Sequence, residues 1–340
     1  MDFSLTDEQR MLQDGLRRLL TSGGTWDAVA EMGVIGMLLP EEKGGYGGAG
    51  SDLMVVFEEI GRAGSDLPLI DTGVLGAGLL AAAGQDVDDV LAGGARIALA
   101  HAEPGSRYDL AHVETRAEEN VDGWRLTGRK SVVVDAPNAT RLLVTARPED
   151  HAPIALFEVD PKALDLRGYP LTGGGEAAEI ALDATPATLL WADADAMLAD
   201  THARATLAIS AEALGLMESI RALTVDYLRT RKQFGRPIGK FQVLQHRMAD
   251  LLIEIEQARS AVVNLAGHID TPDRDRHVAA TKNLVGEVAR LVVEDSIQMH
   301  GGIGVTEEYD LGRLAKRLSM VDHRFGDTLH HLERFIELSA

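Results

Sequence analysis

Arg231-Lys232-Gln233-Phe234-Gly235-Arg236-Pro237-Ile238-Gly239-Lys240-Phe241-Gln242, followed by Met248-Ala249-Asp250, is the stretch on which the fold of this chain turns. It lies between two apolar stripes of helical period. Ahead of it Ala213, Leu216, Met217, Ile220, Leu223 and Tyr227 recur at three- and four-residue spacings, with Glu212, Arg221 and Asp226 between them. Behind it Met248, Leu251, Leu252, Ile255, Ala258, Val262 and Leu265 repeat the pattern. Such stripes bury themselves against one another, so an antiparallel helix bundle is expected after about Ala192. Further on, Gln298-Met299-His300-Gly301-Gly302-Ile303-Gly304 closes a helical run. Glycines there allow backbone conformations denied to other residues, and bare N–H groups suit a phosphate or an adenine edge. An isolated Gly-Gly-x-Gly is more simply a helix C-cap with spare glycines. Set beside Arg231, Phe234 and Gln242, the ligand reading overtakes it.

Upstream of the bundle the pattern is different. From about Arg96, β-branched runs such as Arg141-Leu142-Leu143-Val144-Thr145 and Ile154-Ala155-Leu156-Phe157-Glu158-Val159 are separated by turn signals, and Asp122-Gly123 marks a hairpin. Before that, Leu5 to about Ala83 reads as helical, opened by a capping box from Thr6 to Gln9 and broken by Pro40-Glu41-Glu42-Lys43-Gly44-Gly45-Tyr46-Gly47-Gly48, which is expected to be a loop. The order is α+β: helices over 1–95, a β unit over 96–192, and long helices over 193–340.

Composition excludes several functions. The 340 residues contain no cysteine, so disulfides, thiolate catalysis and cysteine-ligated metals are ruled out by inventory. A formal charge of -20 makes nucleic acid a poor partner, because duplex affinity rests on Lys and Arg neutralising phosphates. There is no apolar run long enough to span a membrane, and Met1-Asp2-Phe3-Ser4-Leu5 is unlike a secretory leader, so a soluble, cytoplasmic protein is expected.

The stretch 231–242 with Met248-Ala249-Asp250 resembles the C-terminal signature of acyl-CoA dehydrogenases, and Gln298 to Gly304 resembles their second one. Gly33 to Arg62, with Pro40-Glu41-Glu42 and Glu58-Glu59-Ile60-Gly61-Arg62, adds an N-terminal match, so the resemblance covers nearly the whole chain. It implies the acyl-CoA dehydrogenase fold: an N-terminal helical domain, a middle β-barrel-like domain and a C-terminal four-helix bundle. It also implies FAD, with Arg231, Phe234, Gly235, Gln242, Gln298, Gly301, Gly302 and Gly304 touching a flavin held mainly by a neighbouring subunit. Arginine suits that role because its planar donors reach two phosphate oxygens at once.

The sequence departs from the family where the flavin would be cradled in cis. A Thr-Glu-Pro-x-x-Gly-Ser-Asp loop is replaced by Ala102-Glu103-Pro104-Gly105-Ser106-Arg107-Tyr108-Asp109. Aligned through Gly128-x-Lys130, the ring-packing Trp and the hydrogen-bonding Thr become Val132 and Val134, which supply neither a flat face nor a side-chain hydrogen bond. All these changes fall on one ligand's footprint, which reads as an emptied cis half-site.

The catalytic base is missing in the same way. Abstraction of the proton alpha to a thioester carbonyl needs a carboxylate within hydrogen-bond reach. The usual Glu position holds Gly326, in Phe325-Gly326-Asp327-Thr328, and the alternative helix position holds Ala205. Asp327 is one residue away, but displacements of about 1 Å can cost roughly a hundredfold, and a helix cap is its other role. His330-His331 with Glu333 is no metal site, since adjacent residues point to different helix faces. His300 reads as a packed residue, and Glu114, Glu118 and Glu119 as a solvated turn.

Trans signature kept, cis site and base lost: the pattern resembles the small noncatalytic subunit of heteromeric (α2β2) bacterial acyl-CoA dehydrogenases of the steroid side-chain or pimeloyl-CoA type. That resemblance implies a catalytic partner subunit, an acyl-CoA substrate and an electron-transfer flavoprotein as acceptor. The alternatives are a self-sufficient homo-oligomeric dehydrogenase using Asp327, and a nonenzymatic acyl-CoA-binding or scaffold protein on the same fold.

Overall fold

The computed structural model describes residues 5–306 and 308–340. Met1 to Ser4, part of the N-terminal stretch read above, lie outside the described residues. The chain forms two compact units. One comprises residues 1–23, 50–66 and 206–340, the other 24–49 and 67–205.

The elements follow the order expected. Helices α1 (Asp7–Thr21), α2 (Trp26–Glu31) and α3 (Gly50–Ala63) come first. A π-helix over Ile70–Ala77 then runs into α4 (Gly78–Ala82), before α5 (Asp88–Leu91). Strands β1 (Ile97–Ala100), β2 (Arg116–Asn120), β3 (Gly123–Val134), β4 (Arg141–Ala146), β5 (Ala155–Val159), β6 (Leu166–Pro170) and β7 (Glu176–Trp191) follow. The remainder is α6 (Asp195–Thr230), a small hairpin of β8 (Lys232–Gln233) and β9 (Arg236–Pro237), α7 (Gln242–His268), α8 (Arg274–His300), α9 (Asp310–Val321) and α10 (Thr328–Glu337). Thr6 and Gln9 form the reciprocal capping box. The segment 40–48 departs from a plain loop by one 3-10 turn over Glu41–Lys43. Glu118 and Glu119 are exposed but sit on strand β2 rather than in a turn.

In the second unit the sheet order is β1-β4-β5-β7-β3-β2, with β6 on the side of β7. The sheet curls back on itself, because the Ala117 N–H donates to Arg147 O and the Arg147 N–H to Thr115 O, tying β2 to the end of β4. This gives the sheet a barrel-like closure at the β2 edge. Leu126, Val133, Leu142, Val144, Phe157 and Ile180 fill its core. Buried beside them is an ion pair, Lys130 Nζ to Glu103 Oε1 at 2.6 Å. Lys130 also donates to His101 O and Thr145 Oγ1, while Glu103 accepts from the Thr115 hydroxyl and from the N–H groups of Glu114 and Thr115. Each charge is satisfied, which burial requires.

In the first unit α3 crosses α6 at glycines. A Cβ on Gly61 would strike Glu212 O, and one on Gly215 would strike Glu58 O, so only backbone fits between the helices. The buried carboxylates of the Glu58-Glu59 motif are held by Arg17, Arg62 and Arg259, and Arg259 continues to Glu218. That motif is therefore a structural ion-pair network. Among the described residues no helix is long and apolar enough to cross a membrane.

Candidate functional site

The deciding stretch forms a projecting hairpin at the end of α6. Lys232 pairs with Pro237 and Gln233 with Arg236, leaving Phe234 (φ 52°) and Gly235 (φ 77°) as the two central turn residues. A two-residue turn with positive φ at both positions suits glycine or asparagine, and a phenylalanine there is strained. Nothing inside the chain repays that strain, since Phe234 is 90% exposed. Its ring meets the edge of Phe241, over which the Arg236 guanidinium lies at 4.2 Å. Arg231 and Gln242 are exposed beside it.

The glycine turn lies at the same end of this unit. The His300 ring stacks on Tyr227 at 4.4 Å, joining the last turns of α8 and α6. Arg247 and Asp295 approach to 3.6 Å between α7 and α8, and in that antiparallel register Gln242 is level with His300. Gln298, Gly301 and Gly302 are exposed, and a Cβ on either glycine would meet nothing within 4 Å, so both offer open backbone. Gly304 is a correction: it is buried against His300, Ile297 and Leu311, and packs the turn rather than facing a ligand. His300 itself is buried, which pushes its imidazole below the usual range.

The segment at the lost base is closed by its own contacts. Asp327 is the N-cap of α10, its carboxylate accepting from the His330 N–H at 2.8 Å. That is the capping role weighed above against a base. Gly326 is buried at φ 103°, and a Cβ there would stand 2.5 Å from His331 Nε2 and 2.6 Å from His330 Cδ2. The histidine cannot yield freely, because its Nε2 is bonded to Phe325 O at 2.8 Å. Lys282, fully buried, donates to Gly326 O at 2.7 Å, and Asn283 to Thr328 O at 2.9 Å. Asp322 accepts from the N–H and hydroxyl of Thr328. Burial pulls Lys282 down to about 8 and His331 to about 4. Ala205, the other base position, is buried in α6 and has no titratable group.

The cis positions lie in the second unit. Ser106 closes a tight turn with Glu103, which the Lys130 pair holds inward, so the retained motif residue Glu103 serves the barrel. At Val132 strand β3 slips register and takes φ 51°, leaving the side chain half exposed. The Val132 N–H donates to Glu179 Oε1, which also accepts from the Tyr169 hydroxyl at 2.8 Å. Although burial opposes its ionisation, these bonds hold the Glu179 carboxyl below the usual carboxylate range.

The sequence reading missed Lys282, Glu179 and the Lys130–Glu103 pair. Lys282 did carry a signal: it shares an apolar helix face with Val278, Ala279, Val285 and Gly286, and a charge on such a face must find partners. Glu179 carried none, since its partners are distant in sequence.

Two family models match, acyl-CoA dehydrogenase N-terminal domain over residues 20–87 and C-terminal domain over 195–327. The acyl-CoA dehydrogenase IpdE2 of Mycobacterium tuberculosis is 32% identical over 86% of this chain and 79% of its own length. The 3-sulfinopropanoyl-CoA desulfinase of Paraburkholderia xenovorans is 29% identical, covering 94% of this chain and 92% of its own. Among solved structures, the Tcur3481-Tcur3483 steroid ACAD matches with a TM-score of 0.87 and 31% identity over 98% of both chains. The chain belongs to the acyl-CoA dehydrogenase family. FAD is accordingly its expected cofactor.

The two halves of the flavin contact differ in fit. On the trans side, Arg231, Gln242, the strained Phe234 and the open backbone at Gly301 and Gly302 suit a phosphate-bearing, aromatic group presented from outside. On the cis side, Val132 and Val134 offer no face or donor, and a carboxylate has taken the free N–H of the bulge. That half does not fit.

Proposed function

We propose that this chain is the noncatalytic subunit of a heteromeric FAD-dependent acyl-CoA dehydrogenase, which introduces a double bond between the alpha and beta carbons of an acyl-CoA thioester. The observation that carries the reading is Gly326: the base position is occupied by a left-handed glycine wedged against His331, with no room for a carboxylate. A partner subunit would supply the base and the isoalloxazine cradle, and FAD held there would supply the hydride acceptor. This chain contributes Arg231, Phe234, Gly235, Gln242, Gln298, Gly301 and Gly302 to the adenosine side of the same flavin. An electron-transfer flavoprotein would be the electron acceptor in this reading.

The assembly in this reading is an α2β2 heterotetramer in the cytoplasm, with the three-part division near residues 95 and 192. Both family matches lie inside the outer two parts. Likeness to a steroid ACAD supports a bulky polycyclic acyl group. Faster turnover of short linear acyl-CoAs than of steroid-type thioesters would count against that substrate.

The test is the FAD-to-protomer ratio of the chain expressed alone and then with a full-length dehydrogenase encoded nearby. Almost no flavin alone and about one FAD per heterodimer supports the shared site. One FAD per chain in isolation would overturn it, and no flavin in any complex would favour a scaffold.

A further inference from the structure

The second unit holds a cavity of about 280 Å3 that the flavin contacts do not use. It opens between the turn after α2, the helical run through the π-helix and α4, and the first turns of α6. Ala205 does not line it, so it is separate from the position where some family members place their base.

Three features set it apart. The first is the π-helix over Ile70–Ala77, an uncommon winding that recurs at functional sites. It leads directly into Gly78 and Ala82, which lie one above the other on the face lining the cavity. The second is Gly78 itself. Its φ of -59° is ordinary helix, so no backbone strain calls for glycine, and a helical glycine costs about 1 kcal/mol relative to alanine. Its missing side chain serves space instead: a Cβ would already touch Thr201 Cγ2 at 3.3 Å, and anything longer would enter the cavity.

The third is charge. Leu38 and Met197 give the wall its apolar character, while Lys43, Asp200 and Arg204 bring charge to it. Asp200 pairs with Arg204, whose other nitrogen donates to Gly48 O. The Lys43 ammonium makes no hydrogen bond or ion pair among the described residues, although Glu41 and Glu42 precede it on the same turn; only its backbone N–H is bonded, to Pro40 O. The lining therefore carries one uncompensated positive charge on a chain whose formal net charge is -20.

We infer that this cavity is a binding site for a compact apolar carboxylate, with the hydrocarbon inside and the carboxylate on Lys43. The volume is roughly twice the ~150 Å3 of an apolar cavity that takes up benzene. A saturated chain of about eight to ten carbons, or two fused rings, matches that space.

The full chain, without FAD or partner, is titrated calorimetrically with decanoate and, in parallel, with decylamine. Decanoate is expected to bind and decylamine not to. Lys43→Glu should weaken decanoate by about tenfold or more, and Gly78→Leu should abolish binding while circular dichroism shows the fold retained. Absence of decanoate binding, equal binding of the amine, or unchanged binding in a folded Gly78→Leu would each overturn the site. Should Gly78→Leu not fold, the Lys43→Glu variant on the 3-10 turn decides alone. Because neither flavin nor partner takes part, the outcome is independent of the subunit reading.

Discussion

Gly326 shows how one residue can commit a whole site. A glutamate there would need a left-handed backbone and would drive its Cβ into the rings of His330 and His331. Gly326→Glu is therefore expected to leave the isolated chain inactive and to lower its stability by about 2–4 kcal/mol, from strain and steric overlap together. Urea denaturation measures the loss; a stable variant that oxidises acyl-CoA would show that the position had merely drifted. His331 gives the same segment a pH response. Burial holds it neutral, with its folded value near 4 against an ordinary 6.5. A depressed histidine stabilises fully above its unfolded value, and that contribution is lost as pH falls toward the folded one. Between about pH 7 and about pH 5 the loss should be about 2 kcal/mol. The groups facing it are Lys282, His330, Asp322 and the Phe325 carbonyl. His331→Asn should flatten the pH dependence of the urea midpoint.

At the scale of elements, the β8–β9 hairpin trades stability for a contact it cannot make alone. Phe234 has a positive φ and is almost fully exposed, so its ring contributes little to the fold. Phe234→Gly is expected to stabilise the isolated chain by about 0.5–1 kcal/mol, because glycine takes this conformation without strain. In the heteromer the same change should speed flavin loss. Thermal melting of the chain and flavin release from the complex read the two effects separately. A destabilised chain, or unaltered flavin retention, would refute the trade.

For the whole molecule, the residues proposed for the adenosine side of the flavin fall in the unit with residues 206–340, and the valines at the cis positions fall in the other. Arg231→Ala should leave the assembly intact by gel filtration but lower its flavin-to-protein absorbance ratio, most relative to the unaltered chain at low salt, where the charge-assisted interaction removed is least screened. An unchanged ratio would mean that the adenosine side is closed by other residues.

Much of this was legible from residue types. Periodic apolar spacing sets the long helices because burial of one face requires it, and the hairpin at Asp122-Gly123 follows from local backbone freedom. Absence of chemistry could also be read, since a valine cannot donate a hydrogen bond and a glycine or alanine cannot take a proton. What could not be read is which remaining polar residue faces which. Gly304 turned inward although its neighbouring glycines face out. Lys282, Glu179 and the Lys130–Glu103 pair gained their roles from partners brought close only by folding. The sequence by itself determined the family, the order of elements and the missing groups, because those depend on local pattern and side-chain inventory. Tertiary structure alone decided that the base position is sealed and the cis strand's donor is taken, because packing and hydrogen-bond satisfaction join residues that sequence spacing leaves unconnected.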